Sequence, residues 1–74
     1  MNERQLKVLN YIKRYVAASG YAPTYSEIAE DCDVSSDSHA HKVVKALVRD
    51  GYLTIASSGV RKIRLSQATS NNNA

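Results

Sequence analysis

The sequence predicts an α+β domain in which three helices precede a two-stranded antiparallel hairpin. Three observations lead there. Apolar residues recur at helical spacing in three stretches between residues 4 and 50. Gly20, Pro23 and Gly51 punctuate those stretches. Beyond Gly51 the period changes from 3.6 to 2, the mark of strands with one covered face.

From Arg4 to Ser19, the side chains of Val8, Leu9, Ile12, Tyr15 and Val16 form one stripe, with Lys7, Asn10 and Arg14 opposite. Gly20 supplies the stop. Pro23 holds Ala22 extended, and Thr24 stands to Glu27 as the two ends of an S/T-x-x-E capping box. A short second helix therefore starts at Thr24, carries Ile28, Ala29 and Cys32, and is interrupted at Asp33 and Val34. Ser35, Ser36 and Asp37 offer capping oxygens to a third helix that runs to about Asp50 and stops at Gly51. Its apolar face is Ala40, Val43, Val44, Leu47 and Val48, and Ser38, Lys42, Lys45 and Arg49 lie opposite. Leu53 and Ile55 then alternate with polar neighbours, Ser57-Ser58-Gly59 turns the chain, and Ile63 and Leu65 alternate with Lys62 and Arg64. The expected hairpin has one buried face and one basic face. Residues 1–65 are expected to fold, and the polar stretch 66–74, with no apolar period, to form a disordered tail.

Bulk properties narrow the function. Seventy-four residues with 43% hydrophobic content suit one small globular domain whose core is consumed in holding the fold. An enclosed substrate pocket does not fit such a core, so an enzyme is not expected. Cys32 is the single cysteine, which excludes an internal disulfide and suits a reducing, cytoplasmic setting. The start Met1-Asn2-Glu3-Arg4-Gln5 lacks the pattern of a signal peptide, and no stretch is long enough to span a membrane.

The net charge is only +3, but it is segregated. Between residues 21 and 34 the charged side chains are all acidic: Glu27, Glu30, Asp31 and Asp33. After Asp50 they are all basic: Arg61, Lys62 and Arg64. Such a distribution suits a polyanion on the side built from the third helix and the hairpin.

Two helices joined by a short turn make a helix-turn-helix, and a following hairpin makes it winged. In that arrangement the second helix of the pair enters the major groove of DNA with its first turns at the base edges. Those turns carry Ser36, Ser38, His39, His41 and Lys42, residue types able to hydrogen-bond bases. Lys45 and Arg49 continue the same face, and Arg61, Lys62 and Arg64 on the hairpin suit phosphates or a minor groove. Each group has a plainer reading: a solvated helix face, and an edge strand charged against aggregation. Cys32, His39 and His41 fail as a zinc site, because a fourth ligand is missing and the two histidines diverge by about 200° round a helix. No cofactor motif or catalytic constellation is present, so no cofactor is expected. The acids of the second helix read as helix-start charges and solvated surface; a protein-interaction module using that acidic face is the alternative function.

From Glu3 to Leu65 the residues resemble the N-terminal DNA-binding domain of the LexA repressor family. The most specific stretches are Arg4-Gln5, Gly20-Tyr21-Ala22-Pro23-Thr24-Tyr25-Ser26-Glu27-Ile28-Ala29, Lys45-Ala46-Leu47-Val48-Arg49-Asp50-Gly51-Tyr52-Leu53 and Arg61-Lys62-Ile63-Arg64-Leu65. The resemblance implies a winged helix-turn-helix regulator, repressor-like, that binds double-stranded DNA through Ser36, Ser38, His39, His41 and Lys42. Asp37 stands where the family often has proline, Ser38 where asparagine is common, and His41 and Lys42 where acids occur, which implies a different operator. Asp33 replaces a common glycine and Asp50 a common basic residue. Family repressors also carry a C-terminal serine–lysine protease domain that dimerises them, and the sequence stops before it. Either a domain of a longer repressor or a stand-alone regulator of a phage or mobile element fits that ending. Two copies are expected to pair on DNA.

Overall fold

A computed structural model describes residues 2–59 and 61–66, so the expected tail lies, but for Ser66, outside the described residues. Helix α1 spans Glu3–Ser19, α2 Tyr25–Asp31 and α3 Asp37–Arg49; strands β1, Leu53–Ile55, and β2, Ile63–Leu65, follow. The strands pair antiparallel with Leu53 opposite Leu65, Thr54 opposite Arg64 and Ile55 opposite Ile63.

Each helix start has a local cause. The Asn2 side chain accepts the Gln5 backbone N–H at 2.8 Å while the Asn2 N–H donates to Gln5 Oε1 at 3.1 Å. Thr24 and Glu27 form the same reciprocal pair for α2, with Thr24 as the cap just outside the helix. Ser36 Oγ accepts the His39 N–H to cap α3. These bonds satisfy donors that a helix start otherwise leaves open.

The turn between α2 and α3 closes by the Val34 N–H donating to the Ala29 carbonyl at 3.0 Å, with Asp33 left-handed at φ 56°. The end of α3 repeats the device: the Tyr52 N–H donates to the Leu47 carbonyl and Gly51 holds φ 91°. Glycine adopts that conformation freely and aspartate does so at a cost.

The core lies where the three helices and the hairpin meet. Ile12, Ile28, Leu47, Leu53 and Ile63 are its largest buried side chains, with Val8, Val44 and Cys32 among their neighbours. Helix α3 packs on α1, α2 and β1 at once. The hairpin's covered face is shorter than expected: Leu53 and Ile63 are buried, but Ile55 is 43% exposed. Ile55 lies opposite the buried Ile63, but its side chain borders an open groove with Val44 and Val48 of α3.

Replacing Asp33 by glycine checks the turn. The left-handed conformation costs an L-residue roughly 1–2 kcal/mol, against about 0.4–1 kcal/mol for glycine's freer unfolded chain. Relief of strain is the larger effect, so Asp33→Gly raises stability by about 0.5–1 kcal/mol, or about 2–8 °C in a thermal melt. An unchanged or lower midpoint contradicts this account of the turn.

Candidate nucleic-acid interface

Because Ala40, Val43, Val44 and Leu47 of α3 are buried, the opposite side of the helix faces out. Ser38, His41, Lys42, Lys45 and Arg49 are all exposed there. Two shallow grooves run along this side. One is lined by Tyr25, Asp37, Ser38, His41, Lys42 and Lys45; the other by Tyr25, His41, Val44, Lys45, Val48, Ile55 and Lys62. Tyr25, His41 and Lys45 belong to both, so the grooves form one strip from the start of α3 to the wing. Among the described residues no ion-pair partner stands at Lys42, Lys45 or Lys62.

Positioning of this strip begins in α2. The Tyr25 ring stacks on His41 with centroids 4.3 Å apart and planes 24° from parallel. Ser26 Oγ donates to Asp37 Oδ2 at 2.8 Å, tying the start of α2 to the start of α3. Sequence reasoning missed Tyr25 and Ile55 as strip residues. Tyr25 carried a signal, since it is the first residue after the Thr24 cap and so projects beside the neighbouring helix start.

The strip gathers Ser38, His41, Lys42, Lys45 and Lys62 of the expected site residues; the others lie elsewhere. Ser36 borders a separate groove with Ser26, Glu27 and Glu30. His39 Nδ1 lies 3.2 Å from Ser35 Oγ. Arg49 ends α3 with Nε 3.8 Å from Asp50 Oδ1. Arg64 Nη1 donates to the carbonyls of Arg61 and Ile63.

Arg61, expected to project from the wing, is instead turned inward. Its Nη1 donates to Glu27 Oε1 at 2.9 Å, the Ala22 carbonyl at 3.0 Å and, more distantly, the Tyr15 hydroxyl at 3.4 Å. Nη2 donates to Glu27 Oε2 at 3.3 Å, and the guanidinium lies 4.5 Å from the Tyr21 ring centroid. A planar fork matches a carboxylate in two places and an aromatic face besides, which is why the side chain settles here. Arg61 and Arg64 both line the depression beside the end of α1, with Val16, Tyr21 and Leu65.

No group of three His, Cys, Asp or Glu side chains among the described residues is placed to hold a metal ion. Burial pushes the Cys32 thiol upward, away from the reactive thiolate. No helix among the described residues is long and apolar enough to cross a membrane.

A helix-turn-helix followed by a hairpin wing, with the second helix turning hydroxyl, imidazole and ammonium groups outward, defines a winged-helix DNA-binding domain. Residues 1–62 match the LexA DNA binding domain family, and the chain belongs to it. It is 39% identical over 70 residues to the LexA repressor of Cellvibrio japonicus, covering 95% of this chain and 35% of that protein. The LexA repressor of Marinobacter nauticus is 38% identical over 68 residues, covering 92% and 34%. That of an Anaeromyxobacter species is 43% identical over 54 residues, covering 73% and 23%. The chain thus spans about a third or less of the length of these relatives.

Glu27 supplies a pH test. Hydrogen bonds from Arg61, then from the Thr24 N–H, hold its carboxyl down to about 2 from an ordinary 4.5. A value lowered by folding means the pair's stabilisation is complete above about 4.5 and is lost as pH falls toward about 2. The Glu27 carboxyl carbon should therefore titrate near pH 2 in NMR and shift up toward 4.5 in Arg61→Ala. An ordinary midpoint in the unaltered chain contradicts the ion pair.

Proposed function

We propose that the chain is a transcriptional regulator, repressor-like, that binds specific double-stranded DNA by laying α3 in the major groove. The carrying observation is the continuous strip of Ser38, His41, Lys42, Lys45 and Lys62, with three ammonium groups outside any ion pair among the described residues. Ser38, His41 and Lys42 sit in the first half of α3 and read base edges; Lys45 and Lys62 take phosphates. Ser36, His39, Arg49 and Arg64 lie outside the strip and take no part in its central contacts. Binding needs no cofactor, and occlusion of a promoter is the simplest mode of regulation.

The partition between reading and holding is testable by competition among duplexes recovered from random sequence. Lys42→Ala or Ser38→Ala changes which sequences win, at about 1–3 kcal/mol for the affected base pair. Lys62→Ala weakens all sequences alike and flattens the slope of log K against log [salt] by about 0.9. Equal losses from every variant contradict the docking, and no duplex binding at low salt favours a protein partner at the acidic face of α2.

Assembly follows from the same surface. Among the described residues the exposed large apolar ones are Leu6, Tyr21 and Ile55, which stand singly at the start of α1, past its end and on the wing. Scattered apolar residues do not make a permanent dimer interface. The free chain should sediment as one copy at micromolar concentration, and two copies should load on a duplex carrying an inverted repeat. A stable dimer without DNA contradicts this.

A further inference from the structure

Leu53 and Ile63 seat the two three-residue strands in the core, whereas Arg61 and Lys62 stand just before β2, in the connection between the strands. The place of that connection matters, because Lys45 on α3 and Lys62 line one strip. We infer that Arg61 is the positioning residue that fixes it, holding the wing so that Lys62 meets the DNA backbone; the inference rests on the DNA reading above.

Arg61 precedes Lys62 directly, so anchoring its side chain limits the movement of the segment that carries Lys62, whose carbonyl accepts from the Ala56 N–H at 2.7 Å. The Arg61 guanidinium is gripped from three other segments: Tyr15 of α1, Tyr21 and Ala22 of the linker, and Glu27 of α2. Glu27 Oε1 accepts from both Arg61 and the Thr24 N–H, so the carboxylate that caps α2 also anchors the wing. From α2 the connection continues to α3 through Ser26 on Asp37 and Tyr25 on His41. Arg64 braces the other end by donating to the Arg61 carbonyl. The pair is about two-thirds withdrawn from solvent, with side chains 33% and 34% exposed, whereas the Lys7–Asp33 pair, at 56% and 92% and 4.0 Å, holds nothing in place. A phosphate could recruit Arg61 only by breaking this set of bonds.

The two roles predict opposite signs at Glu27. Deleting an acid beside a polyanion site should tighten binding if Arg61 were a phosphate contact, since its guanidinium would be released. For a positioning Arg61, Glu27→Gln weakens binding about tenfold although glutamine still serves the capping box. The experiment measures affinity and salt slope for the tightest duplex recovered from random sequence, using Glu27→Gln, Arg61→Lys, Arg61→Ala, Lys62→Ala and the double variant Arg61→Ala/Lys62→Ala.

Arg61→Lys keeps the charge but loses the two-pronged fit to Glu27, so it should behave like Arg61→Ala, about tenfold weak. Arg61→Ala and Lys62→Ala should each flatten the slope by about 0.9, and the double variant by no more than either. A role in stability alone would leave the slope of the folded fraction unchanged, which overturns the inference. So do a double variant that flattens the slope twice over, a fully active Arg61→Lys, or a tighter Glu27→Gln. Arg61→Lys is the mildest change and carries the test if the alanine variants fail to fold. An unaltered chain that binds no duplex fails differently: it removes the DNA reading itself, before any variant is compared.

Discussion

Helix α3 must serve the core on one side and a partner on the other, and the rest of the molecule is arranged around that division. Ala40, Val43, Val44 and Leu47 are all buried, in the core they share with Leu9, Ile12, Ile28, Leu53 and Ile63. Among the described residues no further helix covers the opposite side of α3. Ser38, His41, Lys42 and Lys45 therefore stay in solvent as a consequence of packing. Helices α1 and α2 are the scaffold that makes this orientation unique, since both pack against α3.

Charge follows the same division. Lys42 and Lys45 stand unpaired among the described residues on the outward side of α3, and Lys62 extends that positive line onto the wing. The acids do not oppose it evenly. Glu27 is taken by Arg61, Asp31 accepts from the Tyr11 hydroxyl at 2.6 Å, and Asp37 accepts from Ser26. Among the described residues, only Glu27 of these three acids has its charge paired, by Arg61, and the strip is positive because Lys42, Lys45 and Lys62 line it against the single acid Asp37.

Local signals made most of the fold legible. The capping pair Thr24 and Glu27, the stop at Gly51 and the switch in period beyond it each act within a few residues, and each appears where expected. Legibility failed where a side chain's fate depends on distant partners. Arg61 bonds residues 34, 39 and 46 positions away, so its basic character alone could not reveal that it faces inward. Ile55 shows the related limit: alternation gave its face of the strand, but its exposure is set by the open groove it shares with Val44 and Val48 of α3. Within the site, the outward side of α3 was readable from helical spacing, whereas Tyr25 enters it from the neighbouring helix through a ring stack on His41.

The most direct measurement is the change in backbone amide NMR shifts as a selected duplex is added to the unaltered chain. The account predicts changes along Ser38, His41, Lys42 and Lys45 of α3, joined by Lys62 on the wing, with Glu30 and Asp31 of α2 unmoved. Changes centred on Glu30 and Asp31, or on the Val16 and Tyr21 side of the wing, would contradict it.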